Sequence, residues 1–227
     1  MFKIINMARL IFARPERDIR GPGLIVRFRW TVVFCGIVSF LVGSSPLAQP
    51  AQSVSLFSAR AAPANAEQTW NDNTPVELGV KFQTSVAGTV TGIRFYKARK
   101  NTSAHVGNLW STMGALLATT KFIHETDSGW QQVNLTRPVT LTPGTTYIVS
   151  YHTTVYSADE NYFAGGHTRG PLTALASSAS GGNGVYAYGR SSSFPARSYK
   201  SSNYWVDVAF LAGAAHRQGS QSKLSHK

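Results

Sequence analysis

Strict alternation of apolar and polar residues, repeated in short runs between turn residues, is the feature that most limits how this chain can fold. In PVELGVKFQT, Val76, Leu78, Val80 and Phe82 fall on one side and Glu77, Gly79 and Lys81 on the other. Successive side chains of a strand point to opposite faces, so such a run gives one face to a core and the other to something else. GTVTGIRFYKA repeats the pattern, with Ile93 and Phe95 inward and Arg94 and Tyr96 outward, and GWQQVNL sets Val133 and Leu135 against Trp130, Gln132 and Asn134. VGNLWSTMGALLATTKF reads as strand, tight turn at Met113-Gly114, strand, with Asn108 and Trp110 on its outward side. LTPGTTYIVSYHT carries a Pro-Gly turn and then a strand with Tyr147, Val149 and Tyr151 on one face and Ile148, Ser150 and His152 on the other. SSNYWVDVAF closes the set, with Tyr204, Val206, Val208 and Phe210 against Asn203, Trp205 and Asp207.

SVSLFS, residues 53–58, adds a short first strand, and residues 59–66 read as a loop. Eight or nine short strands with turn signals between them predict an all-β fold, an antiparallel β-sandwich of jelly-roll type. A parallel sheet is excluded by the lack of crossover helices. Residues 157–202, rich in Gly, Ser and Tyr around SASGGNGVYAYG, read as one long loop region, and loops of that length usually carry function. The expected core is Val80, Phe82, Ile93, Phe95, Val133, Tyr147, Val149, Val206, Val208 and Phe210.

The leader is different in kind. Arg27 and Arg29 precede an apolar run from Trp30 to Val42, and small residues follow around Ala48 and Ala51. Basic, apolar, small is the order of a secretory signal, and the run is shorter than a membrane-spanning helix requires. The division expected is therefore a signal or leader over 1–51, a sandwich domain over 52–211 and a disordered polar tail over 212–227. The destination is secreted or periplasmic, with membrane attachment only through an uncleaved leader. Of the formal net charge of +12, the leader supplies seven Lys or Arg against two acids, while residues 53–211 hold twelve basic and eight acidic residues without a block. That distribution argues against a nucleic-acid partner. The single cysteine, Cys35, lies inside the apolar run, so no disulfide is expected in the sandwich.

The phrases PVELGVKF, AGTVTGIRFYK, LWSTMGALLAT, SGWQQVNL, PGTTYIVSYH, GGNGVYAYG and NYWVDVAF, in this order, resemble the bacterial family known as domain of unknown function 4082, from about Val54 to Phe210. The resemblance implies an exported module of the kind attached to immunoglobulin-like repeats or hydrolase domains; here it is expected to stand almost alone. It implies no catalytic residues, because the family has none established.

Two readings of Trp205 and Asp207 compete. On an open sheet face they would form a sugar platform with Tyr96 and His152, since aromatic planes accept the C–H faces of sugar rings while carboxylates and amides bind the hydroxyls. Under a covering loop they would be a satellite core, with Asp207 held by backbone N–H groups or an arginine. The second placement moves the binding surface to Tyr186, Tyr188 and Tyr199 in the Gly/Tyr-rich region. HETDSGW groups His124, Glu125 and Asp127, yet no HExxH, GxSxG or P-loop spacing occurs and no calcium-type DxDxDG loop is present. No metal, cofactor or catalytic residue is therefore expected. The function that fits is non-catalytic binding of glycans or cell-surface polymers, with a structural spacer or a hydrolase as rivals.

Overall fold

A computed structural model describes residues 52–213; the leader and the end of the tail lie outside the described residues. The alternating runs form strands at β1 (Val76–Thr84), β2 (Gly88–Lys97), β3 (Val106–Ser111), β4 (Leu116–Lys121), β5 (Gly129–Leu141), β6 (Tyr147–Thr153) and, at the end, β11 (Val206–Ala212). Between β6 and β11 lie β7 (His167–Arg169), β8 (Leu172–Ala174), β9 (Val185–Tyr188) and β10 (Arg197–Ser198), with single helical turns at Tyr162–Ala164 and Ser177–Ser180. No helix among the described residues is long and apolar enough to cross a membrane.

These strands make two antiparallel sheets that pack as a β-sandwich of unequal layers. The large sheet has eight strands, ordered β10-β9-β1-β6-β3-β4, with β8 also paired to β1 and β7 to β8. The small sheet has three, ordered β11-β2-β5. The region expected to be one long loop is thus partly strand. Its β8 pairs with β1 at residues 82–84 and its β9 with β1 at residues 76–79, so the two share one edge of β1. Each is too short for its alternation to stand out from the Gly and Ser around it.

The core between the layers contains Val80, Phe82, Ile93, Phe95, Tyr147, Val149, Val206, Val208 and Phe210, all buried as alternation requires. Val133, on β5 at one edge of the small sheet, is only half-buried. Phe95 is central, stacked on Tyr151 at 4.6 Å and meeting Phe122 edge-on at 4.8 Å. Glycine permits one close approach: a side chain at Gly79 would meet the Val149 carbonyl at 2.9 Å, so β1 and β6 could not stay in register around it.

Two expectations for the sheet faces fail together. Residues 53–58 do not form a strand; Val54 makes a single bridge to Phe210, and the chain then crosses the outer face of the small sheet. The backbone N–H groups of Leu56 and Phe57 donate to the two oxygens of Asp207 at 2.7 and 2.9 Å. Arg94 completes the clasp, with its Nε and Nη2 at 3.0 and 2.8 Å from the same carboxylate, a further bond from Nη2 to the Phe57 carbonyl, and its guanidinium 4.1 Å over the Trp130 ring. Trp205 has φ of 57°, a left-handed turn that ends the continuous strand read through residues 203–210 and starts β11 at Val206. Its ring packs against Phe57 at 5.2 Å and Tyr162 at 5.7 Å.

Two stability outcomes follow. Replacing Phe95 or Phe210 with Ala should lower the unfolding free energy by about 3–5 kcal/mol, the range for deleting a buried ring, as read from urea denaturation. Arg94→Leu leaves a buried carboxylate without its counter-charge and should cost about 3–5 kcal/mol, with a lower denaturation midpoint and an unchanged dependence on urea.

Candidate functional site

The residues expected to bind are distributed among three places. Tyr186, Tyr188 and Tyr199 come together. Tyr96, Trp205 and Asp207 do not join them, and His152 lies on yet another surface.

The groove around the three tyrosines follows from the unequal layers. The inner face of the large sheet continues past β1 to β9, where the register pairs Tyr186 with Leu78 and Tyr188 with Val76. The small sheet has no strand to cover that extension. Instead Tyr156, just after β6, Tyr199 and Tyr204 from the segment before β11, and Trp70 with Asp72 from the chain before β1 form the remaining walls of a cleft of about 280 Å³. A smaller recess continues past Trp70, Tyr156, Tyr199 and Tyr204 to Glu160 and Ser202. Trp70 is 41% exposed, Tyr188 43% and Tyr199 51%, so these rings are open to a ligand.

Polar groups are fixed inside this aromatic cleft. The Oδ2 of Asp72 accepts the phenol hydroxyls of Tyr156 at 2.8 Å and Tyr188 at 2.6 Å. The hydrogen bond to Asp72 pushes the Tyr188 phenol up to about 12, and burial followed by Asp72 pushes Tyr156 up as well. Burial also raises Tyr204. All three are therefore hydroxyl donors at neutral pH. On the rim, Arg197 stacks over Tyr186 at 4.8 Å and Tyr188 at 5.4 Å, which orders the β9 rings. Trp70 is held by paired backbone bonds to Tyr156 at 2.8 and 3.1 Å. Trp70 and Asp72 were not singled out in the sequence. Their only signal is TWNDNTP, a tryptophan beside turn-forming residues, which reads as a connection.

The other expected residues are accounted for by packing. Trp205 is 3% exposed and Asp207 fully buried, both beneath residues 54–57 and the 159–167 segment; Trp205 Nε1 donates to Asp159 at 2.9 Å. Burial pushes the Asp207 carboxyl up, while Arg94 and the amides of Phe57 and Leu56 pull it down. Tyr96 belongs to the same cluster, edge-on to Trp130 at 5.8 Å. The satellite-core reading therefore holds for this face, and the covering element is chiefly the N-terminal segment rather than the 157–202 region. Asn108, Trp110, Ser150 and His152 are on the outer face of the large sheet, also covered. His152 donates from Nε2 to the Gly189 carbonyl at 2.9 Å, and Trp110 donates to Ser150 at 2.7 Å while Phe194 packs on its ring. Ser150 and Asn108 both bond to Glu77 Oε1, and burial pushes that carboxyl up.

Of the HETDSGW group, only Glu125 enters a network. It bridges His105 Nδ1 at 2.8 Å and Lys97 at 2.9 Å, and His105 Nε2 is 3.3 Å from Ser103 Oγ. Hydroxyl, imidazole and carboxylate thus stand in the order of an acyl-transfer triad. Yet Ser103 Oγ also lies 2.9 Å from Asn101 Oδ1 and 3.2 Å from Thr153, and the His105 ring is buried against Phe95 at 4.5 Å. The arrangement closes the end of the core. Among the described residues, no three His, Cys, Asp or Glu side chains gather as metal ligands would.

The family described as domain of unknown function DUF4082 matches residues 60–206. The chain belongs to this family. The match spans β1 to the start of β11 and includes every wall of the aromatic cleft. No curated protein and no solved structure matches the chain.

The Asp72 bond gives the cleft a spectroscopic marker. Ultraviolet titration should detect a phenol that ionises near pH 12 in the native protein, absent in Tyr188→Phe and shifted toward the ordinary tyrosine range in Asp72→Asn. An unchanged titration in Asp72→Asn would mean that this carboxylate does not hold Tyr188.

Proposed function

We propose that this DUF4082 protein is an exported, non-catalytic binding module whose aromatic cleft takes a carbohydrate of the cell surface or surroundings. The observation that carries the reading is the cleft itself: an inner sheet face, left open by the smaller layer, is lined by tyrosines and a tryptophan around one oriented carboxylate. Exposed rings supply flat apolar surfaces for the C–H faces of a sugar, and Asp72 with its phenols supplies acceptors and donors for hydroxyls. Most of this geometry is set before any ligand arrives, because Asp72, Arg197 and the Trp70–Tyr156 pairing already hold the rings. A preorganised site loses less conformational freedom on binding.

The cleft has the proportions of a site for one or two sugar units, at the lower end of small-molecule cavities. Export rests on the order of the leader, and a glycan ligand is consistent with a destination outside the cytoplasm.

The test is a glycan array followed by titration of the hits. Trp70→Ala and Tyr188→Ala should abolish binding while changing folding stability by less than about 1 kcal/mol, as substitutions at exposed positions do. Trp205→Ala should instead lower stability by about 3–5 kcal/mol, as a buried ring does. A spacer predicts no glycan bound at any concentration, and a hydrolase predicts turnover of the bound glycan. Either result would displace the binding reading.

A further inference from the structure

A second cavity, larger than the aromatic cleft at about 470 Å³, lies on the opposite, outer face of the large sheet, over β1 and β6. Lys81, Gln83, Thr146 and Ile148 form its floor, and Phe194 and Ser180 contribute opposite walls. The outward set of β1 that begins with the sealed Glu77 thus ends in an open concavity. Glu77 is covered by the 189–194 segment, its Oε1 accepting from Ser150 and Asn108 while its buried Oε2 has no hydrogen-bond partner among the described residues. Lys81, four residues on along the same face, is not covered.

The backbone around Lys81 is rigid for a specific reason. β9 pairs with β1 at residues 76–79 and β8 at residues 82–84, leaving residue 81 in the gap. The side-chain amide of Asn183 fills it: Oδ1 accepts the Lys81 N–H at 2.8 Å, and Nδ2 donates to the Lys81 carbonyl at 2.9 Å and to the Leu175 carbonyl at 2.7 Å. The turn at Gly184, with φ of 71° and the Ser202 carbonyl where a Cβ would lie, holds Asn183 in place. One wall of the cavity is therefore stitched to its floor.

The charge is not balanced. Lys81 Nζ donates to the Ser180 carbonyl at 2.7 Å, and no carboxylate among the described residues pairs with it; the lysine and arginine ion pairs found there are Arg94–Asp207, Lys97–Glu125 and Lys200–Glu160. Burial lowers the tendency of Lys81 to hold its proton, and an anion beside it would offset that cost. The ammonium keeps donor capacity for such a partner. Around it, Gln83 is oriented by its bond to Thr146 at 2.8 Å, Thr112 belongs to the lining, and Phe194, also in the lining, packs on the cluster of Ile148 and Trp110.

A cation, a hydroxyl and an amide beside one aromatic ring and the Ile148 side chain select a small ring that carries hydroxyls and one negative charge. We infer that this cavity is a second binding site, for an acidic sugar whose carboxylate meets Lys81. It is independent of the cleft, because the two open on opposite faces of the large sheet.

The experiment uses glucuronic acid as the probe, with glucose and inorganic phosphate alongside, followed by amide chemical-shift mapping on the full chain. Glucuronic acid should shift the resonances of residues 81–83, 146–148, 179–180 and 194–196. Lys81→Met, which keeps the stem but not the charge, should weaken binding at least about tenfold, as should raising the ionic strength. Tyr188→Ala should leave this binding unchanged, so loss of the cleft and loss of this site are told apart. Equal binding of glucose, or undiminished binding in a folded Lys81→Met, would overturn the inference. Binding of phosphate with no uronate binding would overturn it too, by assigning the lysine to a phosphate. If Lys81→Met does not fold, Phe194→Ala serves in its place, because loss of the ring should weaken uronate binding and leave the fold intact.

Discussion

A carboxylate with no access to water organises the small sheet. Asp207 points away from the core on a three-stranded layer, a direction that normally leads to solvent, yet it is fully buried. Such a charge is tolerable only if its hydrogen-bonding sites are filled, and they are: one by the adjacent Val208 amide, the others by the amides of Leu56 and Phe57 and by Arg94. Apart from Val208, those partners are sequence-distant, so the clasp fixes the N-terminal segment across the sheet at the same time. The segment then covers Trp130, Trp205 and Tyr96, an aromatic face that would otherwise be exposed. Removing any one partner uncovers the face as well as unpairing the charge. This is why the clasp has consequences beyond its own hydrogen bonds.

The two candidate sites arise from the mismatch between the layers. With eight strands opposite three, part of the inner face of the large sheet has no sheet partner, and the segments before β1, after β6 and before β11 enclose it as a cleft rather than seal it. On the outer face, the 189–196 segment crosses the sheet and covers Glu77, Asn108 and Trp110, but leaves the stretch around Lys81 open. In both cases the open part is adjacent to a covered, hydrogen-bonded part. Rigid surroundings with a local vacancy are what a binding site requires.

The pattern of residues made the core legible because alternation and burial are the same constraint written twice. Val80, Phe82, Phe95 and Phe210 could be placed without knowing which strand pairs with which. Val133 on β5 is only half-buried although its alternation matches that of the buried residues, so the pattern alone did not separate it from them. The fate of Trp205 was open because its side of the alternation mixes an indole with Asn203 and Asp207, and the path of residues 54–57 decides whether that side is covered. Tyr186, Tyr188 and Tyr199 could be nominated from a Gly-rich setting, but Trp70 and Asp72 could not, because their part in the cleft depends on a single backbone pairing to Tyr156 across a long stretch of sequence. The same holds for Asn183, whose amide substitutes for a missing strand and looks in the sequence like another turn residue.

The division of labour between phenylalanine and tyrosine supports the placement of the cleft. Phe57, Phe82, Phe95, Phe163 and Phe210 are all fully or nearly fully buried, while Tyr156, Tyr186, Tyr188 and Tyr199 line the open groove. The two side chains differ by one hydroxyl, and a buried hydroxyl without a partner costs about 1–3 kcal/mol. Tyr151 illustrates that cost: its ring is in the core against Phe95, and its hydroxyl has no hydrogen-bond partner among the described residues. Where the ring is needed only for packing, phenylalanine avoids the penalty. Tyrosine gains where a polar partner is within reach, as Asp72 is for Tyr156 and Tyr188, or where the hydroxyl faces an accessible surface. A row of phenols on an inner sheet face therefore marks that face as one whose polar tips are meant to be met, which a sealed core would not do.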